Sequence, residues 1–301
     1  MKALVICNPR AGRRGGDAAL TPALDILREA NWDVDVCATT GPGDATVIAH
    51  SAAARGVEAV LVAGGDGTIN ETVQALANTE TALGYLPYGT VNVWARELGI
   101  SRNVSQAAEA IVNGRIEQID LGRAGERYFL LMSGVGFDGY VIRRARRMEG
   151  QKHRFGVLPY LATGLSAAPL YRGADIELRY DGIIRRVKAL MLVVGNTRLY
   201  GGRFQLTPDA VANDGWLDLC IIKGRGPLAL MRHSLPLLLS GTVTHSDVEL
   251  LRVRSLAVHC DMTLPFQVDG ELAGVTPVNF TVAPRALRAI IPRGFASTLI
   301  T

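Results

Sequence analysis

Val60-Leu61-Val62-Ala63-Gly64-Gly65-Asp66-Gly67-Thr68-Ile69-Asn70-Glu71 is an apolar run that ends in a glycine-rich turn and opens a helix. Ile69, Val73 and Leu76 recur at helical spacing beyond the turn, which gives that helix one apolar face. Glycines let backbone N–H groups come close to an anion, and a helix N-terminus favours negative charge. The stretch therefore predicts a strand, a phosphate-binding loop and a helix in succession. Asp66 sets it apart from a bare anion cradle. A carboxylate beside a phosphate makes chemical sense if a divalent cation separates them, or if Asp66 acts on a proton.

Working outward, the first third of the chain repeats this pattern. Ala3 to Cys7 is a continuous apolar run, as a strand buried on both faces requires, and it ends at Asn8-Pro9-Arg10-Ala11-Gly12-Arg13-Arg14-Gly15-Gly16. A helix is predicted from Asp17 to about Ala30, a strand from Val34 to Ala38, and a helix from Ala45 to Arg55. Ala59 to Ala63 and Leu83 to Leu86 are further strands, and Ser105 to Val112 is a helix. Strands alternating with helices predict a Rossmann-like α/β domain with a parallel sheet, whose ligands bind beyond the carboxyl ends of the strands. Asn8, Thr40, Gly64 to Asn70 and Thr90 all fall at such ends.

The texture changes after Ile116. Tyr128 to Met132, Ala189 to Val194, Leu217 to Ile222, Leu256 to Cys260, Leu264 to Val268 and Val278 to Val282 read as short strands. Asp175 to Tyr180 and Ile183 to Val187 flank Asp181-Gly182, a hairpin turn signal, and Asp269-Gly270 is a second one. Helices are predicted at Val157 to Ala168 and Leu228 to Leu239. This predicts a β-rich, mostly antiparallel domain over residues 124–301 after an α/β domain over 1–123, with the last residues free to pack back on the first domain.

Composition narrows the classes. The 301 residues are 48% hydrophobic and 20% charged, enough to bury large cores and far from disordered composition. A net charge of +4 suits an anionic substrate or a membrane surface. Basic residues are not interleaved with a run of aromatics, so no nucleic-acid partner is expected. Cys7, Cys37, Cys220 and Cys260 lack CxxC spacing and read as reduced thiols. Met1-Lys2 leads straight into a strand, and no apolar run reaches the ~18–20 residues of a membrane span. A cytoplasmic protein is expected, meeting a membrane only peripherally.

The motifs together resemble those of the diacylglycerol kinase catalytic-domain family, which includes soluble bacterial lipid kinases and sphingosine and ceramide kinases. The resemblance runs over nearly the whole chain: Asn8-Pro9 with Ala11-Gly12, Gly64 to Glu71, Pro87-Tyr88-Gly89-Thr90-Val91-Asn92, and Ile119-Asp120-Leu121-Gly122. It continues through Gly134-Val135-Gly136-Phe137-Asp138, Pro208-Asp209 with Asp214 to Asp218, and Asp269-Gly270-Glu271. It implies an α/β nucleotide domain followed by a β-sandwich-like domain, and ATP-dependent phosphorylation of a lipid hydroxyl in the cleft between them. By the same resemblance Asn8, Thr40, Gly64, Gly65, Asp66, Gly67, Thr68, Ile69, Asn70 and Thr90 belong to the nucleotide site. Asp66 and Asp120 belong to an acidic network that handles nucleotide and Mg²⁺, and Glu271 is the general base. Val211 and Trp216 carbonyls with the Asp214 side chain are implied as a structural cation site.

Phosphoryl transfer needs in-line positioning, neutralised phosphates and an acceptor for the hydroxyl proton, which suits these residue types. Arg10, Arg13 and Arg14 could neutralise phosphates or simply be solvated. The cluster Arg143, Arg144, Arg146, Arg147, Lys152, His153 and Arg154 suits anionic lipid or a solvated helix face. Leu228, Leu230, Met231, Leu235 and Leu238 suit an acyl groove or ordinary core. Asn92-Val93 stands where many relatives have Asn-Asp, so one acidic group of the implied network is missing. The reading is an ATP- and Mg²⁺-dependent lipid kinase acting on lipid at a membrane surface, with a homodimer allowed. A NAD-kinase-like or sugar kinase, and a non-catalytic nucleotide- or lipid-binding regulator, stay open.

Overall fold

The structure is a computed structural model that describes residues 1–11, 20–148, 166, 171–240, 247–293 and 299–300. It divides into two compact units, Met1–Leu121 with Pro284–Thr301, and Gly122–Ala283. Arg13, Arg14, Lys152, His153, Arg154 and nearly all of the helix predicted at Val157 to Ala168 lie outside the described residues, as do the side chains of Arg146, Arg147, Leu235 and Leu238.

The first unit alternates β1 (Lys2–Cys7), α1 (Thr21–Glu29), β2 (Asp33–Ala38), α2 (Asp44–Ala54), β3 (Ala59–Gly64), α3 (Asp66–Leu76) and β4 (Ala82–Pro87), followed by α4 (Val93–Glu97) and α5 (Val104–Val112). β1 pairs in parallel with β2 and β3, and β3 with β4. The end of the last strand joins β4 in parallel through Ala289 and Leu83. β3 and β4 are buried at every position, which is why they read as unbroken apolar runs. Helices cover them with small or aliphatic residues: Ala23 and Leu27 of α1, Ala45, Ala49 and Ala52 of α2, and Ile69, Val73 and Leu76 of α3. The register sets Cys7 beside both Ala38 and Ala63, and Gly64 beside Pro87. Four strands therefore end level, and the loops that follow leave one edge of the sheet.

The second unit begins within β5 (Arg115–Ala124) and contains β6 (Arg127–Phe129), β7 (Met132–Gly136), α6 (Phe137–Met148), β8 (Ala174–Tyr180), β9 (Ile183–Gly195), β10 (Leu199–Tyr200), β11 (Phe204–Gln205), β12 (Leu217–Lys223) and α7 (Gly226–Ser240). It continues with β13 (Val248–Val253), β14 (Ser255–Cys260), β15 (Pro265–Val268), β16 (Glu271–Val275) and the first part of β17 (Val278–Ile291). Its ladders are antiparallel: β16 on β15, β15 on β7, β7 on β9, β9 on β8 and β12, β8 on β14, and β14 on β17. Asp181 and Gly182 both have positive φ (48° and 77°), as a tight hairpin turn between right-twisted strands demands.

Several sequence expectations change. Tyr128 to Met132 is not one strand but the end of β6 and the start of β7, with a break at Leu130-Leu131. β5 runs through the region expected to be a domain boundary, and its polar sequence Arg115-Ile116-Glu117-Gln118 hid it. β13 and α4 were not anticipated, whereas Arg143 and Arg144, weighed as part of a helix face, do lie on α6. Ile183 to Val187 and Ala189 to Val194 form one long strand, and β17 runs on to Ile291 past Pro284.

The core of the second unit centres on three rings. Phe129 and Phe266 each meet Phe280 edge-on, with centroids 6.5 and 6.2 Å away. Phe280→Ala should cost about 3–5 kcal/mol of stability in urea denaturation, and a loss below about 1 kcal/mol would contradict this packing. At the surface, Arg185 grips Glu249 with both guanidinium nitrogens while Lys223 approaches to 2.7 Å, and this holds the carboxyl down at about 2. A depressed carboxylate stabilises the fold above the unfolded value of about 4.5, and the stabilisation disappears as pH falls toward 2. Because both side chains stay partly exposed to screening water, wild type should exceed Glu249→Gln by no more than about 1 kcal/mol at neutral pH. That gap should close between pH 4.5 and 2; a gap constant with pH would contradict the assignment.

Candidate active site

At the level strand ends of the first unit, backbone hydrogen bonds draw the loops together. The Asn8 N–H donates to Ala63 O at 2.9 Å, and the Tyr88 and Gly89 N–H groups both donate to Gly64 O, at 2.9 and 3.0 Å. The Asn8 side-chain amide donates to Thr68 Oγ1 at 3.0 Å, so the loop after β1 is tied to the first turn of α3. A Cβ on Gly89 would sit 2.6 Å from Gly65 Cα and 2.5 Å from Asn92 Oδ1. Glycine is required at 89 because two backbones touch there.

Asp66 stands between these loops. Its Oδ1 accepts the Val93 N–H at 2.7 Å, and the backbone of Asn92 and Trp94 also donates to the carboxylate. Burial pushes its carboxyl up from the ordinary range, and those donors and Arg96 pull the other way. The carboxylate thus receives the free N–H groups at the start of α4, a helix of five residues that has no other N-terminal cap. Asn92 precedes it with φ 54°, held by Tyr85 Oη donating to its Oδ1 at 2.8 Å and by its own amide donating to Gly89 O at 2.8 Å. Val93 therefore contributes its backbone N–H, and its side chain is buried.

The other expected residues have partners of their own. Thr40, beyond β2, donates through N–H and Oγ1 to Asp44 Oδ2, both at 2.7 Å. These bonds and the Gly41 N–H hold Asp44 below the usual carboxylate range. Thr90 is exposed, whereas Ile69 and Asn70 are buried on α3. Asp120 is buried and accepts the Arg285 N–H at 2.7 Å.

In the second unit, Glu271 opens β16 directly after Asp269 (φ 47°) and Gly270 (φ 86°). Arg127, which the sequence did not single out, reaches Glu271 Oε2 at 2.6 Å. The Asp269 carboxylate accepts the N–H groups of Leu130, Leu131 and Met132, each at 2.9 Å. That clamp explains the break between β6 and β7. Asp214 accepts the Trp216 N–H at 3.0 Å and pairs with Arg252, while Arg254 stacks 4.3 Å over the Trp216 ring. Val211 is half-buried in the same loop. Burial first, then the charges of Asp214 and Asp209, push nearby Asp218 up to about 6, with Arg252 opposing.

A parallel sheet wrapped by helices, whose strand-end loops gather glycines, N–H groups and hydroxyls at one edge, is a Rossmann-like α/β domain, a fold in which ligands bind beyond the strand ends. Residues 2–124 match the family model described as diacylglycerol kinase catalytic domain, and residues 132–291 match the YegS C-terminal NAD kinase beta sandwich-like domain. The diacylglycerol kinase of Bacillus subtilis (strain 168) is 31% identical over 307 residues, covering 99% of both chains. That of Staphylococcus aureus (strain MRSA252) is 30% identical over 97% of this chain and 92% of its own. A solved structure from Bacillus anthracis str. Sterne has a TM-score of 0.82 at 25% identity, covering 98% of each chain. A second, described as a diacylglycerol kinase from the same strain, has a TM-score of 0.77 at 24% identity with the same coverage. The chain belongs to the diacylglycerol kinase family. It is a lipid kinase, and the family implies ATP as the phosphoryl donor.

The contact at Gly89 gives a direct test. Gly89→Ala should force the loops after β3 and β4 apart and weaken ATP binding by about tenfold, with a destabilisation of about 1–3 kcal/mol. Calorimetric titration with ATP measures the first effect, and wild-type affinity would contradict the role of this contact.

Proposed function

We propose that the enzyme transfers the γ-phosphate of ATP to the free hydroxyl of a diacylglycerol-like lipid. In this reading Gly64 to Asn70, Asn8, Thr40 and Thr90 hold the nucleotide. The observation that carries it is the convergence of Asn8, Gly64, Thr68 and Gly89 at one sheet edge, hydrogen-bonded to one another. There, backbone N–H groups and the start of α3 favour phosphate oxygens.

Asp66 and Asp120 serve the acidic network of the nucleotide site. Among the described residues no three His, Cys, Asp or Glu gather in one place. Magnesium usually needs only one or two carboxylates, with phosphates and water completing its shell, so Asp66 oxygens fit it. Bound there, Mg²⁺ would neutralise charge on the transferring phosphates. Asp214, with the Val211 and Trp216 carbonyls, remains the reading for a structural cation; a cation would take over the charge balance that Arg252 now supplies. Glu271 accepts the hydroxyl proton, its carboxylate aimed by Arg127 and by the turn before it. The lipid is reached from a membrane surface, and Leu228 and Met231, 80% and 65% exposed one turn apart on α7, support peripheral contact there.

Phosphorylation of dioleoylglycerol in detergent micelles tests this. Glu271→Gln should lower kcat by about 10²- to 10⁴-fold with little change in the KM for ATP. Unchanged turnover would remove Glu271 from the reaction.

A further inference from the structure

The segment Gly134-Val135-Gly136-Phe137-Asp138-Gly139 has no place in the chemistry so far. Its geometry gives it one. Asp138 is only 6% exposed, and Gln267, on β15, only 2%. Asp138 Oδ2 accepts from Gln267 Nε2 at 2.8 Å, and its Oδ1 accepts from Tyr200 Oη at 2.5 Å. Gln267 Oε1 in turn accepts the Gly270 N–H at 2.6 Å, and Gly270 immediately precedes Glu271. Ser133 Oγ donates to the Gln267 carbonyl from the facing strand.

The glycines make room for this arrangement. A Cβ on Gly134 would collide with Asp138 Oδ2, and one on Gly139 would collide with the Pro265 carbonyl at the start of β15. The motif therefore packs its carboxylate against the strand that delivers the catalytic turn.

A primary amide can face either way, and only one way serves this turn. The Gly270 N–H can only donate, so Gln267 turns Oε1 toward it and its NH₂ toward Asp138, whose Oδ2 accepts. We infer that Asp138 is a positioning residue for Glu271, acting through Gln267 and Gly270, with Tyr200 holding Asp138 from the other side. The inference rests on the proposed role of Glu271 and adds to it a buried support that no substrate need touch. A shift of about 1 Å in a reacting group is enough to lose about a hundredfold in rate.

The test compares Asp138→Ala, Asp138→Asn and Glu271→Gln in the full chain. Asp138→Ala should lower kcat toward dioleoylglycerol by about 10- to 100-fold, with the KM for ATP within about twofold of wild type. Amide exchange in the 267–272 peptide should rise about tenfold, while that of 59–76 stays unchanged. Asp138→Asn should restore kcat to within about fivefold of wild type, because its Oδ1 still accepts from Gln267 while the Tyr200 hydroxyl turns to accept from its Nδ2. If Asp138→Ala does not fold, Asp138→Asn combined with Tyr200→Phe strands that Nδ2 and should lose about tenfold more kcat than the product of the single changes. Unchanged exchange at 267–272, wild-type kcat in Asp138→Ala, or multiplicative behaviour of the double variant overturns the inference. Full activity of Glu271→Gln overturns the proton-acceptor reading instead, and the exchange result still decides whether Asp138 holds the turn.

Discussion

A carboxylate removed from water must be met by donors, and Asp66 meets this requirement with the backbone of another loop. Its bond to the Val93 N–H joins the glycine turn after β3 to the chain emerging from β4. It adds to the bonds from Tyr88 and Gly89 N–H to Gly64 O and caps the start of α4. One side chain therefore ties the loop after β3 to the start of α4.

The second unit repeats the device. Asp269, like Asp66, precedes a glycine and spends its carboxylate on backbone N–H groups, here those of Leu130 to Met132. The turn it fixes presents Glu271, which Arg127 holds from the side. In both units the carboxylate of an Asp-Gly pair clamps backbone N–H groups of a distant segment. Rigid strands thus fix the loop geometry that phosphoryl transfer needs.

The α/β half was legible because its signals are local. Buried parallel strands such as Ala59–Gly64 are unbroken apolar runs, and glycine turns follow them directly. The hairpin at Asp181-Gly182 and the turn at Asp269-Gly270 were legible for the same reason. What escaped depended on partners far away in the chain. β5 and β13 carry polar residues and gain their strand character from pairing. α4 is too short to have a periodicity and takes its cap from Asp66. Arg127 and Glu271 are 144 positions apart, and Asp138 and Gln267 are 129 apart, so nothing in local spacing links them. The one available signal was Gln267 itself, a polar residue inside the apolar strand Pro265–Val268, which only a buried partner could justify.

Everything in the proposed function turns on the phosphate passing from ATP to a lipid hydroxyl. The most direct measurement incubates the protein with γ-labelled ATP, Mg²⁺ and a total lipid extract, then separates organic from aqueous products and identifies them by mass. Label should appear in the organic phase, on a lipid that carried a free hydroxyl, with none appearing when ATP or protein is omitted. Label confined to a water-soluble acceptor, with an unlabelled organic phase, would contradict it.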